Sequence, residues 1–346
     1  MSPTRPAHPP HSGAHHRPIA LAKGAIVAVV AAGTLAATTS AALAAPHPGA
    51  TGGGQTAYVS DLKADSVSVL ETGTGTVAAT IPVGDGPAAV AVAPNGSAAY
   101  VADFSGSSVS VINTGSGTVQ ATVAVGHDPD GVAVSPDSGT VYVVNGISGT
   151  VSVIAAATDT VTATIHVGGS PDGVAVSPDG STVYVSGSAG GTVSVISTSS
   201  DIVTATVSVG GNPGGVALSP SGGAAYVTSF TGNSVSVIDT ADDTVTGTIA
   251  VGDHPDAVAV SPDGRTAYVT NFGSGTVSAI DTGSDTVAAT ISVGSAPESV
   301  ALSSDGTAAY VADSGGNSVS VINTGTDAVS ATIAGFSGPA GIAVAP

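Results

Sequence analysis

The stretch Ser261-Pro262-Asp263-Gly264-Arg265-Thr266-Ala267-Tyr268-Val269-Thr270-Asn271 ("SPDGRTAYVTN") returns in near-copies along most of the chain. Its tyrosine gives the period: Tyr58, Tyr100, Tyr142, Tyr184, Tyr226, Tyr268 and Tyr310 stand 42 residues apart, and they are all the tyrosines there are. A proline keeps the same step from Pro87 to Pro339, and so does the central alanine of "VAV", "VAL" or "IAV" from Ala91 to Ala343. No insertion or deletion breaks the register.

Each unit divides into four strand-like pieces, here lettered a to d. In one unit they are "GVAVSP", "TVYVSG", "TVSVIS" and "IVTATVSVG", short β-branched runs with period-two alternation between Gly, Pro and Asp. Pro178-Asp179-Gly180 joins a to b, and a short polar turn of the "TGSD" kind joins c to d. Asp starts such turns and Gly accepts a positive φ, so both links are tight hairpins within an antiparallel meander. A period in the low forties with four strands predicts a propeller blade. β-helix coils and leucine-rich repeats are shorter, and helical repeats do not tolerate Gly or Pro every few residues.

One blade cannot cover its own faces. Val67 and Val69 project from one side of strand c and Ser68 from the other, and each valine removed from water contributes about 1.5–3 kcal/mol. Neighbours are therefore needed on both sides, and a ring supplies them without free ends. Residues 53–346 hold seven units of 42, beginning at strand b ("TAYVSD", 56–61) and finishing at strand a ("GIAVAP", 341–346). The prediction is an all-β, seven-bladed propeller in which the C-terminal strand a completes the blade opened by the N-terminal strands b, c and d.

The repeats resemble the YVTN β-propeller family, through "VAVSPDGRTAYVTN" and the following "TVSAIDTGSDTVAATISVG". The resemblance covers about residues 53–346. It implies a seven-bladed propeller of the sort found in secreted and surface-layer proteins, and says less about chemistry, because one fold hosts many functions.

Charge separates the ends of the chain. The formal net charge is −19, yet three of five basic residues (Arg5, Arg17, Lys23) lie within the first 23 positions and all 24 acidic residues lie beyond position 60. A body so acidic repels phosphate backbones, which argues against a nucleic-acid partner. A basic leader, the apolar run "GAIVAVVAAGTLAATTSAALA" and the A-x-A site Ala42-Leu43-Ala44 have the layout of a secretory signal peptide over 1–44, cleaved near Ala44, with a linker over 45–52. An uncleaved membrane anchor is the other reading of the same run, and the threonines within it favour cleavage. The mature domain is then secreted or held at the cell envelope without spanning a membrane, and its partner is an extracellular ligand or surface component. His8, His11, His15 and His16 fall in the leader and receive no role.

Propeller geometry sorts the loops. The d-to-a and b-to-c links emerge on one face, and the a-to-b and c-to-d hairpins on the other. On the first face, the residue after the recurring proline reads Ala88, Asp130, Asp172, Gly214, Asp256, Glu298 and Ala340, which places four carboxylates near the channel mouth. The position three after each tyrosine adds Asp61, Asp103 and Asp313 with Asn145 and Asn271, and His127 and His254 sit in d-to-a links. Crowded carboxylates attract a cation, so the mouth is a candidate site for Ca²⁺ or a basic ligand group. The plainer reading is that these residues brace loops against backbone N–H groups. Phe104, Phe230 and Phe272 follow at the start of b-to-c links, as a sugar- or peptide-binding platform or as lids on their own blades.

The tyrosines and the turn residues Asp137, Asp179, Asp263 and Asp305 read as structure. There is no cysteine, and no zinc-protease or phosphate-loop motif. The leading expectation is a non-catalytic binding or structural module. The alternative is an extracellular metal-dependent propeller enzyme of lactonase or lyase type.

Overall fold

The computed structural model describes residues 54–346. The expected leader, its cleavage site and the linker lie outside them. Among the described residues there are 28 strands and no helix, arranged as seven four-stranded antiparallel sheets. We number the blades by their tyrosines, so Tyr58 marks blade 1 and Tyr310 blade 7. In blade 4 the strands are a (Pro171–Val176), b (Thr182–Gly187), c (Thr192–Ser197) and d (Ile202–Ser208), hydrogen-bonded in that order. The a-to-b turn carries Gly180 at φ 74°, a conformation that costs glycine little.

The ring is closed. Strand a of blade 1 is the C-terminal Pro339–Val344, which pairs antiparallel with Thr56–Asp61 and sets Tyr58 opposite Ala343. This strand also lies beside strand a of blade 7 (Pro297–Leu302) and strand a of blade 2 (Pro87–Val92), so the a strands form an unbroken inner circle. Gln55 adds a latch: its Nε2 donates to the Ala345 carbonyl at 2.9 Å, and its Oε1 accepts from the Ser304 N–H of blade 7 at 3.0 Å.

Seven hydrophobic clusters fill the seven gaps between blades. Between blades 3 and 4, Tyr142, Val144, Val151, Val153 and Ile165 meet Val183, Val185 and Ile196. The closing gap is built the same way: Ala57, Val59, Leu70, Phe336 and Ile342 of blade 1 meet Tyr310, Ala312 and Val319 of blade 7. Strand c serves both sides, because its register shifts after the second valine. Val67 and Val69 face blade 2 while Leu70 turns to blade 7. The outermost d strands alternate exposed and partly buried positions, with threonine on the open side.

The tyrosine slot is as expected, and its hydroxyl reaches into the next blade. Tyr184 Oη donates to Asp243 at 3.3 Å and Tyr268 Oη to Asp327 at 3.2 Å. Each acceptor is the left-handed residue of the neighbouring c-to-d turn, at φ 56° and 49°. Burial and this carboxylate push the Tyr184 phenol up to about 12. The turn aspartates are also structural. Asp179 Oδ1 accepts from the Ser177 hydroxyl at 2.6 Å and the Ser181 N–H at 3.0 Å, which holds its carboxyl down at about 2.

Candidate functional site

The face carrying the d-to-a and b-to-c links is built on a break in each a strand. After its proline, strand a shifts register against strand b, leaving the second and third residues partly outside the ladder. The fifth residue of strand b decides how the break is filled. In blades 1, 4, 5 and 6 it is Ser60, Ser186, Thr228 or Thr270, and ladder pairing skips to the fourth residue of strand a. In blades 2, 3 and 7 it is Ala102, Val144 or Ala312, and the third residue pairs directly.

The hydroxyl stands in for the missing pair and links onward. Ser60 Oγ accepts from Gly341 N–H at 2.7 Å and donates to the Ala88 carbonyl of blade 2 at 3.2 Å. Ser186 accepts from Gly173 N–H at 2.8 Å and donates to the Gly214 carbonyl of blade 5. Thr228 donates to the Asp256 carbonyl at 2.7 Å, and Thr270 to the Glu298 carbonyl at 3.4 Å. The backbone of the mouth is therefore held by hydroxyls from the preceding blade, a relay that reading the sequence missed. Its signal was present in the split between Ser/Thr and Ala/Val at one repeat position.

The residues so positioned include the expected carboxylates. Asp130, Asp172, Asp256 and Glu298 occupy the second position of strand a in blades 3, 4, 6 and 7, all half-buried. Each is engaged within the structure. Glu298 Oε1 accepts from the Ser314 hydroxyl of its own b-to-c link at 2.7 Å. Blade 5 has Gly214 between the acidic positions of blades 4 and 6. A Cβ placed there would lie 3.6 Å from Asp256 Oδ1 and 3.0 Å from the Asp256 carbonyl. No group of three His, Asp or Glu side chains converges on a common metal position among the described residues.

Asp61, Asp103 and Asp313 do not join this mouth, which corrects the expectation that the three add to its carboxylates. They end strand b and are enclosed, at 3%, 0% and 0% exposure. Asp103 Oδ2 accepts from Ser108 at 2.9 Å and Ser110 at 2.8 Å, and Asp313 Oδ2 from Ser320 at 2.7 Å. Asp61 accepts from Ser68 at 2.5 Å and from Ser337 N–H at 2.8 Å. Burial pushes all three carboxyls above the usual range, and these hydroxyl and amide donors restrain the rise. Asn145 and Asn271 fill the same slot with the polarity reversed, their Nδ2 donating to Ser152 and Ser278, each at 3.0 Å. The slot thus serves to tie strand b to strand c.

The aromatics divide. Phe230 and Phe272 start the b-to-c links of blades 5 and 6, and their rings lie 6.3 Å apart at 44°. His254 completes the group, 4.7 Å from Phe230. Phe104 sits three blades away from Phe230, half-buried and apart from this group. The loops beneath the cluster are tightly held. Phe230 N–H donates to the Asn212 carbonyl and Phe272 N–H to the His254 carbonyl, both at 2.9 Å, while His254 N–H donates to Asn233 Oδ1 at 2.9 Å. Asn212 and His254 each stand two residues before the mouth position, Gly214 and Asp256 respectively. The pair of phenylalanines therefore borders the mouth at blades 5 and 6.

Seven four-stranded blades closed by a C-terminal strand define a β-propeller whose phenylalanines gather on one loop face. Within that class, residues 137–321, over half of the chain, match the YNCE-like beta-propeller model, and the chain belongs to that family. Among solved structures it is similar to hydrazine synthase of Kuenenia stuttgartiensis, with 24% identity and a TM-score of 0.69 over 75% of this chain and 90% of that one. A functionally unknown protein from Desulfotomaculum acetoxidans DSM 771 superposes with a TM-score of 0.76 at 19% identity, over 84% and 98% of the two chains. A protein described as a candidate 6-phosphogluconolactonase, from Bacteroides uniformis ATCC 8492, gives 0.71 at 18% identity over 84% and 99%. At such identities the likeness is one of fold. No curated protein matches the chain significantly.

Proposed function

We propose that this propeller is a secreted or cell-surface, non-catalytic binding module that takes a basic ligand group at the mouth of its ring. The observation that carries the reading is the recurrence of a carboxylate at one inner-strand position in four of seven blades, on a body with only Lys63 and Arg265 to oppose its 24 acidic residues. Such a surface concentrates cations, and low-dielectric walls focus the attraction. An organic cation suits it better than a bare metal ion, because Ca²⁺ needs six to eight oxygens in a close shell and no such convergence is found among the described residues. The signal-like leader and the YVTN-like repeats support an address outside the cytoplasm.

Calorimetry with spermidine, and separately with Ca²⁺, tests the proposal. Spermidine should bind with an affinity that falls steeply with salt, and the Asp172→Asn/Asp256→Asn variant should bind it at least severalfold more weakly. Neither heat nor a rise in Tm with either cation would overturn the reading. Metal-dependent hydrolysis of a lactone by the purified protein would establish the enzymatic alternative in its place.

A further inference from the structure

The loop face is uneven around the ring. In blades 4 and 5 the d-to-a links are Gly168-Gly169 and Gly210-Gly211, and the b-to-c link of blade 4 is bounded by Gly187, Gly190 and Gly191. A Cβ added to Gly168 or Gly210 would meet nothing within 4 Å. These blades thus present a low, exposed floor of bare backbone, held together by its own hydrogen bonds such as Gly168 N–H to the Gly149 carbonyl and Gly210 N–H to the Gly191 carbonyl. On one side stands the Phe230–His254–Phe272 cluster of blades 5 and 6. On the other is Ile147 in the b-to-c link of blade 3, 72% exposed and the most exposed large apolar side chain among the described residues. Along the inner edge run the mouth positions of blades 4 to 6, Asp172, Gly214 and Asp256. Of the two basic residues in the propeller, Lys63 lies on blade 1 and Arg265 in an a-to-b hairpin on the opposite face.

We infer that this floor is a docking site for an extended peptide segment bearing arginine side chains. The inference rests on the reading of the mouth as a site for basic groups, and it names the ligand. A glycine floor admits a main chain at close range, because no side chain stands above it. Phenylalanine faces attract a guanidinium through their quadrupole, and Arg stacks on such faces more readily than Lys. A guanidinium at the rim would face the Asp172 and Asp256 positions, with only Gly214 between them in the ring of mouth positions. The charge of the face excludes an acidic segment.

The chain has no tryptophan, so a short peptide carrying one tryptophan and several arginines separated by glycine reports binding by its own fluorescence. The unaltered protein should bind it, bind a lysine analogue more weakly, and leave the neutral citrulline analogue unbound. Phe230→Ser/Phe272→Ser should weaken binding about tenfold, the size expected from losing two cation–π contacts, with Tm reporting whether the variant is folded. Asp172→Asn/Asp256→Asn should also weaken it and flatten the salt dependence. Equal affinity for the arginine and lysine peptides, together with an unchanged affinity in the folded phenylalanine variant, would overturn the inference while spermidine binding left the mouth reading standing. Binding of a neutral oligosaccharide at these phenylalanines, with no binding of the arginine peptide, would also overturn it.

Discussion

Ser60 is where the account of the ring can be tested through one atom. Its Oγ joins the C-terminal strand, through Gly341 N–H at 2.7 Å, to the next blade, through the Ala88 carbonyl at 3.2 Å, and the residue is fully buried. Ser60→Ala removes the hydroxyl and leaves a buried donor and a half-buried acceptor. An unmatched buried group of this kind costs about 1–3 kcal/mol. The loss stops short of twice that figure because the strand can relax toward the register of blade 2, where Ala89 pairs directly with Ala102. The expected destabilisation is therefore about 1–3 kcal/mol. At about 2–4 °C per kcal/mol for large domains, Tm should fall by about 2–12 °C. Ser60→Thr should be close to neutral, because Thr228 and Thr270 occupy the equivalent position. Denaturant melts of both variants supply the assay. An alanine variant within about 0.5 kcal/mol of the parent, or a threonine variant as unstable as the alanine one, would refute the relay.

The buried carboxylates give a pH signature. Their folded-state pKa values are raised by burial, so the native state holds the proton more tightly and stability falls as pH climbs from the ordinary carboxylate range through the folded values. Asp103→Asn/Asp313→Asn, which installs the side chain that Asn145 and Asn271 already carry, should raise Tm at neutral pH and flatten its dependence in the acid range. The turn carboxylate of Asp179 acts in the opposite sense, since its pKa is held at about 2. Its contribution is present above the ordinary range and lost as pH drops toward that value, and Asp179→Asn should remove that part of the acid sensitivity in melts from pH 5 downward. Ile238→Ala, in a fully buried position of strand c, should cost about 2–5 kcal/mol by urea unfolding. Tyr184→Phe removes the bond to Asp243 and should cost about 0.5–1.5 kcal/mol, and it should delete a phenol that titrates near 12 in an ultraviolet pH titration.

The ring was legible because its evidence is periodic: the tyrosine step, the proline and the "VAV" alanine fix strand order and blade number, and strand a over 339–344 supplies the partner that the strand b of Tyr58 needs. The mouth was half legible. Asp130, Asp172, Asp256 and Glu298 follow a proline that starts an inner strand, and the repeat carries them there. Asp61, Asp103 and Asp313 looked alike in sequence, yet they sit on the last residue of strand b, where the side chain is enclosed by strand c. The serine seven residues on, Ser68, Ser110 or Ser320, marks that enclosure, and only the strand register shows the two side chains meeting. The period also places Phe230 and Phe272 on adjacent blades and Phe104 three blades away; the contact of Phe230 with His254 was not legible, because it depends on how two loops lie against each other.

The closed ring itself is tested most directly by a covalent link across the closing blade. The chain has no cysteine, so Ala57→Cys/Val344→Cys introduces the sole thiols at two directly paired positions of the first and last strands. Opposed residues in an antiparallel pair have Cα separations of about 4.5–5.5 Å, within disulfide range. Mild oxidation of the folded protein should yield one intramolecular disulfide, seen as the loss of two protons in intact mass, and a higher Tm that reverts on reduction. Two freely titrating thiols in a folded, oxidant-treated protein would mean that the C-terminal strand is not seated beside Tyr58, and the closed propeller would be contradicted.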